Sequence, residues 1–136
     1  MEEIKDFQLV ELDRAKRVVT FRLPLHPDSK WGMNAVYSQS KHWRQRKKEA
    51  EQIHMIVRAA IRKQNRNARK FDKPVRVEIR YNSRLDIDNH GYLAKLIIDG
   101  MKGVLVEDDT RRYIKELTQG FHDRSQDFIF VTVEEI

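Results

Sequence analysis

The sequence predicts an α+β domain in which a mixed β-sheet carries two main helices, in the order β–α–β–α–β–β–β. Two segments, 17–23 and 75–81, alternate apolar and polar residues with the period of half-buried strands. A stretch without proline or glycine, 41–66, has the apolar spacing of a long amphipathic helix. Strand and helix signals therefore alternate in the first part of the chain, and strand signals alone close it.

The first strand is RVVTFRL (17–23), and FQLVEL (7–12) is a candidate partner strand. Residues 23–40 contain two prolines, one glycine and three serines, which predicts a loop. The long helix at 41–66 follows this loop, with apolar residues at spacings of three, four and seven.

The second half of the chain begins with the strand VRVEIRY (75–81). Apolar residues spaced three to four apart between 93 and 101 fit a second helix. VLVEDD (104–109) has the pattern of a short buried strand that runs into acids, and RRYIKELT (111–118) and FIFVTVEEI (128–136) indicate two closing strands. The last segment is apolar on both alternating faces, more than an exposed edge strand tolerates, which favours a partner surface.

Composition limits the classes of protein that the chain can represent. Its 136 residues predict a single domain over 1–136, and its lack of cysteine excludes disulfides and cysteine-based zinc sites. No apolar run has the length of a membrane span, and the acidic N-terminus lacks the order of a signal peptide, so we expect a cytoplasmic protein without membrane contact. The net charge of +6 favours a polyanionic partner.

Positive charge is concentrated between residues 41 and 70, where eleven lysines and arginines face two acids. One interpretation is a solvated helix face whose long side chains cover apolar surface. The other is a phosphate-binding surface. The candidate DNA-binding residues are Lys41, Arg44, Arg46, Lys47, Lys48 and, directly before the first acids, Arg84.

Acidic residues cluster further along the chain, at positions 86, 88, 99, 107, 108 and 109. If the strand–helix–strand path brings Asp86 and Asp88 beside Asp108 and Asp109 at one sheet edge, these carboxylates suit Mg²⁺ or Mn²⁺. The alternative is ordinary turn and helix-cap acids.

DIDNHG resembles the start of an EF-hand loop, but position five is His90 and position twelve is Ile97, which excludes that motif. The histidines show no zinc spacing, so surface or loop positions are expected for them.

Three segments together resemble the RusA-type Holliday-junction resolvases: LPLHPDSKWGMNAVY (23–37), RLDIDNHGYLAKLIID (84–99) and VLVEDD (104–109). The resemblance runs from about Val18 to the C-terminus and leaves residues 1–17 as an N-terminal extension. It implies a RusA-like fold and a homodimeric, Mg²⁺-dependent endodeoxyribonuclease, with Mn²⁺ as a possible substitute. Such an enzyme acts on branched DNA and resolves Holliday junctions by symmetric nicking of phosphodiester bonds.

The resemblance also implies roles for individual residues. Asp86, Asp88 and Asp109 correspond to the catalytic metal ligands, with Asp108 nearby, and Lys95 corresponds to the catalytic or phosphate-positioning lysine. The family's lysine follows the asparagine by three residues, whereas here it follows by six because HGY is inserted. The four-residue step from Lys95 to Asp99 is kept, which supports the correspondence.

Three other functions remain open at this stage. A metal-dependent nuclease of another branched or single-stranded DNA substrate would have the same acids. A non-catalytic DNA-binding module of the same fold would be expected to lack one or more of the acids, all of which are present. An interaction protein whose charges serve only solubility would explain the basic segment but not the acidic cluster.

Overall fold

The computed structural model describes residues 16–25, 43–83, 86–122 and 127–136. In these ranges the chain forms the elements β1 (Val18–Leu23), α1 (Trp43–Gln64), β2 (Val75–Tyr81), α2 (Gly91–Met101), β3 (Ile114–Phe121) and β4 (Ile129–Glu135). A short 3₁₀ turn, Ile87–Asn89, precedes α2. None of the helices in these ranges is both long and apolar enough to span a bilayer.

The four strands form one mixed sheet in the order β1-β4-β2-β3. Strand β4 pairs antiparallel with both β1 and β2, whereas β2 and β3 are parallel. Parallel neighbours need a crossover connection, and α2 supplies it between β2 and β3. The predicted α+β class with a mixed sheet and two main helices is confirmed.

The core lies between one face of the sheet and the two helices. Alternate residues of β1, β2 and β4 are buried, as the two-residue period of a half-buried strand requires. Phe21, Val77 and Val131 from the sheet belong to the same buried cluster as Val57 of α1 and Ile97 of α2. This burial fixes α2, and with it the segments before and after α2, against the sheet.

Helices α1 and α2 are in close contact at Gly100. A Cβ atom built on Gly100 would lie 2.8 Å from the Cβ of Val57, and the carbonyl of Gly100 accepts a hydrogen bond from Arg58 Nε at 3.3 Å. The Cβ of Val57 is fixed by the backbone of α1 and cannot rotate away. Gly100 is therefore the residue that lets the two helices pack.

We expect Gly100→Ala to destabilise the protein by about 1–2 kcal/mol, because overpacking a core costs roughly 1–3 kcal/mol and alanine regains up to about 1 kcal/mol of helix propensity. Urea unfolding measures the change. Gly91→Ala is the matched control in the same helix, since nothing lies within 4 Å of a Cβ built there. A Gly100→Ala variant as stable as the Gly91→Ala variant would contradict this account of the helix packing.

The segment 104–109 is not a strand, which corrects the sequence prediction. Gly103 has a φ of 80°, a conformation that favours glycine, and it turns the chain directly after α2. The N–H groups of Leu105 and Val106 then donate to the carbonyl of Met101 at 2.9 and 3.3 Å instead of to a neighbouring strand. Both side chains are buried, so the apolar pattern correctly predicted that this segment is buried but wrongly predicted that it is a strand.

The candidate strand 7–12 lies outside the described residues, and β3 begins at Ile114 rather than at 111 because Tyr113 and Ile114 donate to the carbonyl of Thr110 in a turn. Strand β4 lies inside the sheet between β1 and β2. Strand β4 is therefore not an exposed edge strand, so the edge argument for a partner surface does not apply to it.

The outer edge of β1 is covered by side chains from the end of α1. Gln64 accepts a hydrogen bond from the N–H of Arg22 at 2.7 Å and donates to the carbonyl of Arg22 at 2.8 Å. Asn65 donates to the carbonyl of Thr20 at 3.1 Å. The two carboxamides thus satisfy backbone groups that an edge strand would otherwise leave unpaired.

Candidate active site

A groove of about 230 Å³ lies between α2 and the edge strand β3. Its wall on the helix side includes Lys95 and Ile98, and its wall on the strand side includes Leu117 and Gln119. Asp109 also lines it, so the structure brings two of the predicted site residues, Lys95 and Asp109, to one groove. A carboxylate and an ammonium in one open groove can contact a phosphodiester together with a bound cation.

A larger cavity of about 540 Å³ lies beside β1 and α1, away from these residues. The described residues that line it are mostly apolar and include Arg22 and Lys63 but no carboxylate. Size alone would favour this cavity, but without acids it lacks the oxygen ligands that phosphodiester hydrolysis by a divalent cation needs. We therefore assign the candidate site to the smaller groove.

Asp86 and Asp88 lie after β2, at and within the 3₁₀ turn that leads into α2. Both side chains are exposed. Asn89 donates through Nδ2 to Asp88 Oδ1 at 3.2 Å and to the carbonyl of Asp86 at 3.3 Å. The asparagine of the DIDN motif therefore ties the two aspartates to one turn and orients Asp88.

His90 supports this turn from inside the protein. Its side chain is 1% exposed, its ring centroid lies 4.3 Å from that of Tyr81, and Phe121 packs edge-on at 5.7 Å. Its Nδ1 lies 3.0 Å from the carbonyl of Asp86, which can only accept, so Nδ1 carries the proton and donates. Burial lowers the pKa of His90 despite these backbone hydrogen bonds, which favours the neutral ring.

Three aspartates surround Lys102, the residue directly after α2. Lys102 Nζ lies 3.2 Å from Asp99 Oδ1, 3.2 Å from Asp109 Oδ2 and 3.9 Å from Asp108 Oδ1. Asp108 Oδ1 also accepts a hydrogen bond from the N–H of Asp109 at 2.8 Å. The acids at the end of α2 are thus organised around an ammonium group of the protein itself.

The ion pairs shift the pKa values of the groups involved. The hydrogen bond to Asp109, joined by that to Asp99, raises the pKa of Lys102 above its ordinary value despite partial desolvation. Desolvation alone would raise the pKa of Asp109, but the hydrogen bonds from Lys102 and within the turn outweigh it and lower that pKa. Lys102 is therefore charged and Asp109 ionised at neutral pH.

Helix α2 separates the two groups of acids. Asp86 and Asp88 precede its first residue, whereas Asp108 and Asp109 follow its last, and eleven helical residues span about 16 Å. Among the described residues, no three side chains of His, Cys, Asp or Glu are grouped as a metal site. The donors still suit a hard cation, because carboxylate oxygens are its preferred ligands and Lys102 shows that positive charge is accommodated among them.

Four of the six predicted DNA-binding residues lie on α1. Lys47 and Lys48 are exposed in its second turn, Arg44 is exposed in its first, and Arg46 is half-buried. Helix α1 carries no acid in its first turn and two basic residues in its last. Lys41 and Arg84 lie outside the described residues.

Sequence reasoning missed two residues of this region. His90 was expected on the surface or in a loop, and it is buried at the start of α2. Its position directly between the DIDN motif and an apolar helix could have predicted that His90 is buried. Lys102 was not considered, although its spacing of three from Asp99 puts the two on one helical face.

Comparison with known proteins identifies a family that the chain matches over most of its length. The sequence model of the family described as endodeoxyribonuclease RusA matches residues 26–133, which include both groups of acids, Lys95 and Lys102. A search of curated proteins finds no match.

Proposed function

Because the chain belongs to the RusA endodeoxyribonuclease family, we propose that it is a Mg²⁺-dependent endonuclease that resolves Holliday junctions by nicking two strands symmetrically. The family match is the observation that carries this proposal. The groove that contains both Lys95 and Asp109 supports it, since these residue types suit phosphodiester hydrolysis.

Asp86, Asp88 and Asp109 would hold the metal, with Asp108 nearby, and Mn²⁺ would be an alternative to Mg²⁺. When bound, a divalent cation supplies an activated water and stabilises the charge that develops on the phosphate. Lys95, exposed along the groove, would bind the scissile phosphate. Asn89 orients Asp88 for this task, and the lowered pKa of Asp109 keeps that carboxylate ionised.

The separation of the acids along α2 favours a homodimer as the working unit. Two copies whose α2 helices run antiparallel would place Asp86 and Asp88 of one copy near the other end of the helix in the second, where Asp109 lies. Ile87, Leu117 and Phe121 are each 41–43% exposed between these points and could form an apolar contact. A twofold dimer would also match the two equivalent strands of a four-way junction.

The basic side of α1 would hold the DNA arms. Lysine and arginine contacts to phosphates position a protein on nucleic acid without reading sequence, which suits an enzyme that selects DNA by shape. The alternative interpretation of α1 as a solvated face makes no such contribution to binding, so the two are separable by measurement.

The proposal is tested with a labelled four-way junction and a linear duplex of matched sequence, each incubated with Mg²⁺ or EDTA. We expect paired nicks at symmetric positions in the junction with Mg²⁺, nicked products that ligase seals, and no cleavage with EDTA. Equal cleavage of flap or single-stranded substrates would identify a metal-dependent nuclease of another substrate. Binding of the junction without cleavage at any divalent cation would identify a DNA-binding module.

A further inference from the structure

The proposed reaction assigns no role to Lys102, although this residue contacts three aspartates. It is the first residue after α2, with an extended backbone (ψ 132°), and its ammonium contacts carboxylates from two segments of the chain. Asp99 belongs to α2, whereas Asp108 and Asp109 belong to the turn that leads toward β3. Lys102 is therefore the ionic link between the helix and that turn.

The link fixes Asp109 in two ways. Its Oδ2 is held by Lys102 at 3.2 Å, and its backbone N–H donates to Asp108, whose Oδ1 lies 3.9 Å from the same ammonium. Asp99, with a side chain 22% exposed, anchors the ammonium to the helix at 3.2 Å. Without Lys102, three carboxylates would repel one another and the turn would lose its ionic contact with α2.

The position of Lys102 relative to the groove indicates whether it positions Asp109 for a cation or competes with the cation for Asp109. Asp109 and Lys95 line the groove, whereas Lys102 contacts Asp109 from outside that lining and through Oδ2. The second oxygen of Asp109, Oδ1, is not used by this ion pair. A cation bound in the groove would thus share Asp109 with Lys102 rather than replace it.

We infer that Lys102 is a positioning residue that holds Asp109 in place as a metal ligand, with Asp99 as its anchor on α2. This inference rests on the proposed metal-dependent function and deepens it. Groups that orient a metal ligand contribute substantially to metal affinity, and their loss costs roughly 10- to 100-fold.

The test is Lys102→Met, which keeps an unbranched side chain one heavy atom shorter and removes the charge. Mn²⁺ binding to the full chain is measured by electron paramagnetic resonance of the free ion, and the Mg²⁺ dependence of junction nicking is measured in parallel. We expect the Mn²⁺ dissociation constant to rise by about 10-fold or more. The Mg²⁺ concentration for half-maximal nicking should rise with it, and saturating Mg²⁺ should recover most of the rate.

Two further variants serve as controls. Lys102→Arg keeps the positive charge and should lose less than the roughly 10-fold in Mn²⁺ affinity that is expected for removal of the orienting group. Lys70→Met removes a more exposed ion pair in the same turn, in which Lys70 Nζ lies 2.9 Å from Glu107 Oε2. Lys70 has no ion pair with Asp99 or Asp109 among the described contacts. The Lys70→Met variant should leave Mn²⁺ affinity unchanged.

Unchanged or tighter Mn²⁺ binding by Lys102→Met would overturn the inference, because a merely neutralising ammonium competes with the metal and its removal strengthens binding. Equal losses in Lys102→Met and Lys70→Met would also overturn it, since the effect would then belong to the turn as a whole. Absence of Mn²⁺ binding by the parent chain would overturn the metal-dependent function itself and the positioning role with it.

Discussion

Asp88→Asn is expected to abolish nicking of a four-way junction while binding of the junction survives. The substitution removes one ligand charge from the exposed turn before α2 and leaves the basic side of α1 intact. A catalytic metal stabilises the transition state by several kcal/mol, and about 4 kcal/mol corresponds to roughly a 1000-fold change in rate. Single-turnover nicking and gel-shift titration of the same preparation measure the two properties.

Asp72→Asn is a control for charge, because Asp72 is exposed in the loop before β2, and it should nick normally. Near-normal cleavage by folded Asp88→Asn would contradict the metal site.

A mixture of Asp88→Asn and Asp109→Asn tests whether each site combines Asp88 of one chain with Asp109 of the other. In that arrangement a mixed dimer would contain one complete set of acids. We expect the mixture to nick one strand although each variant alone is inactive, and a persistently inactive mixture would place each site within one chain.

Replacing Arg44, Lys47 and Lys48 together by alanine is expected to weaken binding to junction and linear duplex alike. Each lost phosphate contact flattens the slope of log K against log salt by about 0.9, so three contacts should change it by about 2.7. Relative to about 1 M salt, at about 0.1 M this corresponds to a loss of about 500-fold in affinity. Fluorescence anisotropy across a range of salt concentrations measures both quantities.

The control removes the same charge elsewhere: Lys16, Lys73 and Arg76 are exposed around the starts of β1 and β2. Their combined replacement by alanine should change the salt slope little. If the two triple variants have the same slope as the parent chain, the basic side of α1 is a solvated face and the DNA is bound elsewhere.

The elements with a clear local period were predictable from sequence. The alternation in 75–81 defined β2 to the residue, and the apolar spacing around 93–101 defined α2. The segment 104–109 was not predictable, because a short apolar run has the same pattern in a strand and in a buried turn. The interior position of β4 depends on pairing between distant parts of the chain, which no local pattern reports.

For the candidate site, too, local sequence patterns identified the residues but not their arrangement in space. Asp86, Asp88, Lys95 and Asp109 were named from sequence, but their gathering at one sheet edge was an assumption about the path. Because β2 and β3 are parallel, the end of β2 and the start of β3 lie at opposite ends of the sheet, and α2 returns between them. The ion pairs of Lys102 with Asp108 and Asp109 depend on the turned path of the chain after α2, where the sequence predicted a strand over 104–109.

The carboxamides of Gln64 and Asn65 bond to the outer edge of β1, so the two edges of the sheet differ in how readily they can pair with an additional strand. A strand from another molecule that sought to extend the sheet at β1 would first have to displace hydrogen bonds already made there. Strand β3 forms the opposite edge, and several of its side chains are exposed. Of the two edges that the described residues form, β3 is therefore the one more open to an intermolecular strand, and it lies beside the groove that contains Asp109.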